Sequence, residues 1–299
     1  MLIRRKGRFG ALSALLAGAS LLAALPVQAE PIFGLTTTNA LVLFDSATPS
    51  FSGAAVNITG LNLNERILGI DLRPATGALY GLSSSGNLYT LNASTGAATI
   101  ASTLSTSLIG TSFGIDFNPV VDRLRITSSS GQNLRVNVST GVAIVDGQLN
   151  GAATGLNNLG YNNNDNNPAT GTMLFGINSA THRLYIQNPP NAGVLTEVGP
   201  LGIDGSDAAG LDISGITGIA YASLTDQISM HSSLYRINLS NGTASLIGAF
   251  GIGGNTAIAP PLLDLAVAVV PAAVPEPGTL ALVFAGLLTA GLMRRRAAG

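Results

Sequence analysis

The sequence predicts an all-β protein: a five-bladed β-propeller of four-stranded blades, closed by pairing the last strand with the N-terminal strands. Three observations carry this expectation. A Gly-x-Asp motif returns about every 48 residues, each return is followed by three more strand-like runs, and the first unit lacks an opening strand while one spare strand stands at the far end.

Gly69-Ile70-Asp71-Leu72 is answered by Gly114-Ile115-Asp116-Phe117, more loosely by Gly160-Tyr161-Asn162, and again by Gly210-Leu211-Asp212-Ile213. After each comes a short alternating or apolar run of strand type: 78–82, 123–127, 173–177 and 219–222. A second set follows at 87–91, 133–137, 183–187 and 233–238, and a third at 97–100, 142–145, 194–198 and 243–247. Three of the last connections are close copies: Asn92-Ala93-Ser94-Thr95-Gly96, Asn137-Val138-Ser139-Thr140-Gly141 and Asn238-Leu239-Ser240-Asn241-Gly242. Asn and Ser side chains bond their own backbone and the closing Gly supplies a positive φ, so these read as hairpin turns rather than sugar-binding loops. Pro74, Pro119 and Pro168 punctuate the wider connection before the second strand. At the start of the domain, 32–35, 41–44 and 55–58 supply three strands of a unit without its first, and Leu262–Val267 supplies that strand. Joining them closes a ring and removes an exposed sheet edge.

Composition excludes several classes. The chain has 299 residues, 46% of them hydrophobic and 10% charged, with no Cys and no Trp, so disulfide scaffolds, thiolate metal sites and thiol nucleophiles are out. Between Glu30 and Pro277 seven arginines and no lysine stand against all 15 acids, which argues against nucleic acid as a partner.

The ends read as targeting elements. Residues 1–29 have a basic start, an apolar run from Phe9 to Leu25, and the small-x-small triplet Val27-Gln28-Ala29, the layout of a secretory signal peptide. The propeller domain is assigned to 30–268, a Pro-rich linker and sorting motif to 269–277, a hydrophobic C-terminal helix to 278–293 and a basic cytoplasmic end to 294–299. Val274, Pro275, Glu276 and Pro277, then the apolar run, then Arg294, Arg295 and Arg296 resemble the PEP-CTERM sorting signal of Gram-negative bacteria. That resemblance implies recognition and cleavage by an exosortase. The protein would be held transiently in the inner membrane through the C-terminal helix, then released to the cell surface or an extracellular polysaccharide matrix. The run Phe113-Gly114-Ile115-Asp116-Phe117-Asn118-Pro119-Val120-Val121-Asp122-Arg123-Leu124-Arg125, with Gly160-Tyr161-Asn162 and Leu184-Tyr185, resembles the domain-of-unknown-function family 4394. The resemblance implies an exported propeller-like protein and brings no catalytic residues with it.

The recurrent polar position, Asp71, Asp116, Asn162, Asp212 and Asp264, falls once per unit in the innermost strand. Two readings stand. The groups either tie each blade to the next by hydrogen bonds, or ring a central channel and hold a cation, for which oxygen donors select Ca²⁺. Asn162–Asn167 and the loop carrying Asp204 and Asp207 are acidic or amide-rich without the full ligand spacing of a calcium loop. Glu30, Glu65, Glu197 and Glu276 recur in no motif, His182 and His231 form no recognisable pair, and no nucleophile elbow or phosphate loop is present. The tyrosines Tyr80, Tyr89, Tyr185, Tyr221 and Tyr235 lie in or beside strands, where blade packing uses aromatics. No cofactor is expected and no catalytic residue is assigned. The expectation is a non-enzymatic binding or structural module associated with exopolysaccharide; a secreted hydrolase or lyase on extracellular polysaccharide is the alternative.

Overall fold

The computed structural model describes residues 29–165 and 167–268. The first blade contains β4 (Ile67–Arg73), β5 (Ala78–Ser83), β6 (Asn87–Leu91) and β7 (Ala98–Thr103). The second contains β8 (Phe113–Asn118), β9 (Arg123–Ser128), β10 (Asn133–Val136) and β11 (Ala143–Val145). The third contains β13 (Asn158–Tyr161), β14 (Leu174–Asn178), β15 (Arg183–Gln187) and β16 (Val194–Pro200), and the fourth β17 (Gly205–Ile213), β18 (Ala220–Asp226), β19 (Ser232–Ile237) and β20 (Ala244–Ala249). The closing blade joins β21 (Leu262–Val267) to β1 (Pro31–Thr36), β2 (Ala40–Asp45) and β3 (Val56–Asn57) in that order. Among the described residues these are five sheets, each antiparallel from its inner to its outer strand. The inner strands β21, β4, β8, β13 and β17 touch in sequence and the last returns to the first. The predicted five-bladed ring and its split blade are therefore the observed fold.

Two features lay outside the sequence expectation. A fifth short strand, β12 (Asn150–Gly151), adds to the third blade in parallel with β16, and a 3₁₀ turn, Pro190–Ala192, precedes β16. Both are too short to show periodicity.

Burial falls from hub to rim. Inner strands are covered on both faces by neighbouring blades, so β8 and β13 read as nearly continuous buried runs, whereas the outer β7 and β11 are largely exposed. The core is divided among the seams: Tyr80, Leu88, Phe117 and Leu134 fill the one between the first and second blades, and Ile32, Tyr221, Leu234 and Leu265 the one between the fourth and closing blades. Each such side chain contributes about 1.5–3 kcal/mol by leaving water, so blade-to-blade burial is the main cohesive term. Close approach at the hub requires glycine. A Cβ on Gly114 would lie 2.8 Å from the Asn158 amide nitrogen, and one on Gly210 2.6 Å from that of Leu265.

The Asn-x-Ser-x-Gly connections are turns, as their chemistry predicts. Asn92 Oδ1 accepts from the Ser94 and Thr95 amides, Asn137 Oδ1 from Ser139 and Asn238 Oδ1 from Ser240. They also seal the seams. Gly141, at φ 74°, donates its amide to the Asn137 carbonyl; its own carbonyl accepts from the Ser105 amide of the preceding blade, and an added Cβ would fall 1.9 Å from the Thr103 carbonyl oxygen.

Among the described residues no helix is long and apolar enough to cross a membrane. Residues 1–28, the sorting motif Val274 to Pro277, the apolar run 278–293 and Arg294, Arg295 and Arg296 lie outside the described residues.

Candidate functional site

The five inner strands bring one residue each to a common height at the axis of the ring. The ladders define that height. Asp71 pairs with Tyr80, Asp116 with Arg125 and Asp212 with Tyr221. Carboxylate oxygens of Asp71, Asp116 and Asp212 converge within 4.8 Å of one another, and all three residues are buried.

The other two expected members are displaced. In the third blade Gly160, paired with Phe175, occupies the ring height, and Asn162 lies beyond the end of β13, where its side chain accepts from the Met173 amide at 2.6 Å. In the closing blade Ala266, paired with Phe33, occupies it, and Asp264 stands two residues earlier, level with Gly69. Asp264 still faces the axis: its Oδ2 would be 3.0 Å from a Cβ on Gly69. The ring is thus three carboxylates at one height with a fourth offset along the channel, not five equivalent groups.

The aspartates do tie blade to blade. Asp71 Oδ1 accepts from its neighbour Leu72 at 2.7 Å and Oδ2 from Phe117 of the next blade at 2.6 Å. Asp212 repeats this with Ile213 and Val267, both at 2.6 Å, and Asp264 with Leu265 and Ile70, both at 2.9 Å. The Tyr161 amide serves Asp116, but Asp116 Oδ1 has no partner. Burial, followed by repulsion from Asp212, raises the Asp71 carboxyl well above the usual carboxylate range despite its two amides. Burial and then Asp71 and Asp212 do the same to Asp116. Burial lifts Asp212 to about 6 and Asp264 well above its ordinary value. Desolvation is the dominant cause throughout.

Where the inner strands begin, the channel opens into a cavity of about 200 Å³ that takes residues from all five blades: Thr37, Arg66, Ser112, Asn157, Asp207 and Leu263 among them. The Arg66 guanidinium makes no ion pair among the described residues, whereas Arg73, Arg125, Arg135 and Arg183 each do. The Ser112 hydroxyl is buried without a hydrogen-bond partner. Asp207 Oδ1 accepts weakly from Asn157 Nδ2 at 3.4 Å, and Asn157 is otherwise held by Ser179. No single motif marks this mouth, but the repeat carries a signal for it. Arg66, Thr111 and Asp207 each stand three residues before the glycine of a Gly-x-Asp motif, so the repeat itself carries them to one end of the channel.

The remaining candidates disperse. Asp204 is exposed, 3.9 Å from His182, while Asp212 is in the hub. Asp165 Oδ1 accepts from the Asn167 amide and the Thr170 hydroxyl within its own loop, as a polar turn does. Tyr80, Tyr89, Tyr185 and Tyr221 are buried and Tyr235 is half-buried, so these rings pack seams and are not a sugar-stacking surface.

A closed ring of five four-stranded blades about a carboxylate-bearing hub, with a polar mouth at one end, defines a five-bladed β-propeller. The chain belongs to the family described as domain of unknown function DUF4394, whose model matches residues 40–259. No curated protein matches it. Among solved structures it is similar to a chain of a nidogen/laminin complex, at 15% identity and a TM-score of 0.48 over 81% of this chain and 85% of that one. It is also similar to hydrazine synthase of Kuenenia stuttgartiensis, at 11% identity and 0.42 over 64% and 52%, and to the WD40 domain of coronin from Toxoplasma gondii, at 14% and 0.38 over 74% and 58%.

Proposed function

We propose that the protein is an exported, non-enzymatic binding module that engages extracellular polysaccharide at the mouth of the propeller channel. The observation that carries this reading is the mouth itself: a cavity drawn from all five blades, with a guanidinium unpaired among the described residues, an unpartnered hydroxyl and a carboxylate beside the apolar side chains of Ile67, Phe113 and Leu263. Sugar units present hydroxyls to such polar groups and apolar ring faces to such apolar side chains. At about 200 Å³ the cavity is smaller than the roughly 300–1,000 Å³ of sites for drug-sized ligands, which suits one terminal sugar unit rather than a long segment. Export and sorting follow from the chain ends. The signal peptide directs secretion, and an exosortase-type system acts at Pro275-Glu276-Pro277 while residues 278–293 hold the chain in the inner membrane.

The binding is tested by calorimetric titration of the purified chain with oligosaccharides released from the exopolysaccharide of the source bacterium. Arg66→Ala and Asp207→Asn are expected to weaken binding about tenfold or more, the cost of losing a charge-assisted hydrogen bond. Arg183→Ala, which breaks the exposed pair with Glu197, is expected to leave it unchanged. Equal affinity in all four proteins would remove the mouth as the site, and absence of heat across the set would remove polysaccharide as the ligand. Sorting is tested separately. A Glu276→Ala chain is expected to accumulate in the inner-membrane fraction, and normal surface delivery would refute the exosortase reading.

A further inference from the structure

The hydrogen bonds at the hub leave a specific deficit. At the height of the three converging aspartates the ring offers five amide N–H groups, those of Leu72, Phe117, Tyr161, Ile213 and Val267, one from each inner strand. Three carboxylates present six oxygens. Gly160 has no side chain, so the Ile213 amide is left to Asp212 itself. Asp264 is displaced along its strand and bonds Ile70 and Leu265, so the Leu72 amide is left to Asp71. Asp116 follows an intact member of the ring, and its own next amide, Phe117, is already given to Asp71. The unpartnered Asp116 Oδ1 is the direct consequence, in a residue only 1% exposed.

Among the described residues no basic side chain meets this need. Arg125 lies opposite Asp116 in the ladder, but its guanidinium nitrogens donate to Asn133, Asp146 and Asn191, toward the seam with the third blade. A buried carboxylate oxygen without a donor is costly unless a cation or a proton supplies the missing contact. Here oxygens of three carboxylates lie within 4.8 Å of one another. Ca²⁺ holds oxygen ligands at roughly 2.3–2.6 Å, so its ligands stand at most about 5 Å apart, and carboxylates are its preferred donors. Mg²⁺ demands near-ideal octahedral geometry and dehydrates reluctantly, so a dedicated cage of protein carboxylates suits it less. Each amide-bonded oxygen keeps a second lone pair for a metal, so Asp71 and Asp212 can serve without giving up their blade ties.

We propose that the hub of the propeller is a Ca²⁺ site formed by Asp71, Asp116 and Asp212, with Asp116 Oδ1 as the oxygen left free for the ion. The site is distinct from the sugar-binding mouth and does not depend on it. Its bound ion neutralises the carboxylates that converge from three blades and stabilises the closed ring.

The test uses the purified chain stripped with chelator, then titrated calorimetrically with CaCl₂ and melted with CaCl₂ or chelator. The wild type is expected to bind one Ca²⁺ per chain and to melt about 5–10 °C higher at a hundredfold excess over Kd. MgCl₂ at the same concentration is expected to raise it less. Asp116→Asn removes one charge at constant shape, and the new amide can donate to a neighbouring aspartate. This variant is expected to melt in chelator at least as high as the stripped wild type and to gain nothing from CaCl₂, so the lost response is separated from unfolding. A wild type that neither binds nor shifts with CaCl₂ overturns the proposal. If such a protein instead loses stability as the pH rises through the raised carboxyl range, a proton supplies the missing contact: carboxyls raised on folding favour the fold below their unfolded pKa and cease to do so as they ionise. An Asp116→Asn chain that still responds fully to CaCl₂ overturns it as well.

Discussion

A chain stopped at Pro261 is expected to lose its cooperative melt and to aggregate, whereas one stopped at Ala268 melts in a single transition. The seven residues between them contain β21, the inner strand of the closing blade. Without it β1 loses its ladder from Ile32↔Val267 to Leu35↔Asp264 and becomes an open edge. Two seams are breached together. Leu262, Leu265 and Val267 leave the core shared with the fourth blade, and Ala266 leaves the one shared with the first. At about 1.5–3 kcal/mol for each large side chain, the apolar loss alone approaches the roughly 5–15 kcal/mol of stability typical of a whole domain. Asp212 also loses the Val267 amide and Ile70 loses Asp264, which leaves buried polar groups bare on both sides of the gap. Circular dichroism melts and size-exclusion chromatography of the two chains decide the matter. A Pro261 chain that stays monomeric and melts with the control would mean that the ring does not depend on this closure.

Sequence exposed the blades because their strands are short, evenly spaced and separated by turns whose chemistry is local. Asn92 and Gly96 specify a hairpin without reference to anything distant. The axial register was harder, because a Gly-x-Asp motif marks an inner strand without stating which residue reaches the common height. The second strands held that information. Leu79-Tyr80-Gly81-Leu82-Ser83, Leu174-Phe175-Gly176-Ile177-Asn178 and Ile32-Phe33-Gly34-Leu35-Thr36 are one motif, and the aromatic in each pairs with the ring position. Aligned on the aromatic, the third blade presents Gly160 and the closing blade Ala266, which removes Asn162 and Asp264 from the ring. The shortage of donors at Asp116 was illegible for a different reason. It depends on which amide each carboxylate captures from the next blade, a choice made by three-dimensional closure and not by spacing along the chain.

Asp146→Ala is expected to cost about 3–5 kcal/mol, the range for removing one partner of a buried ion pair and leaving the other uncompensated. Arg125 holds the position that aromatic residues fill in the other blades, and its side chain is 2% exposed. Its Nη1 donates to Asp146 at 2.7 Å and to Asn133 at 2.8 Å, its Nη2 donates to Asn191 at 2.7 Å, and its Nε already lacks a partner. Asp146 is the one carboxylate in that network, and Arg135 shares it through Nε and Nη2, both at 3.0 Å. Truncation therefore strands two guanidiniums, one of them fully inside the seam between the second and third blades. The damage spreads to amides, because Asn133 Nδ2 reaches across the seam to the Pro190 carbonyl, which also accepts from Gln187 Nε2 of its own blade. Arg135→Ala is the informative contrast: Arg135 is 30% exposed and Asp146 keeps Arg125, so a loss of at most about 1 kcal/mol is expected. Urea unfolding of the three proteins, with midpoints compared at constant slope, gives both values. If Asp146→Ala cost no more than Arg135→Ala, water would have to reach the Arg125 guanidinium, and the seam would be far more open than its buried side chains require.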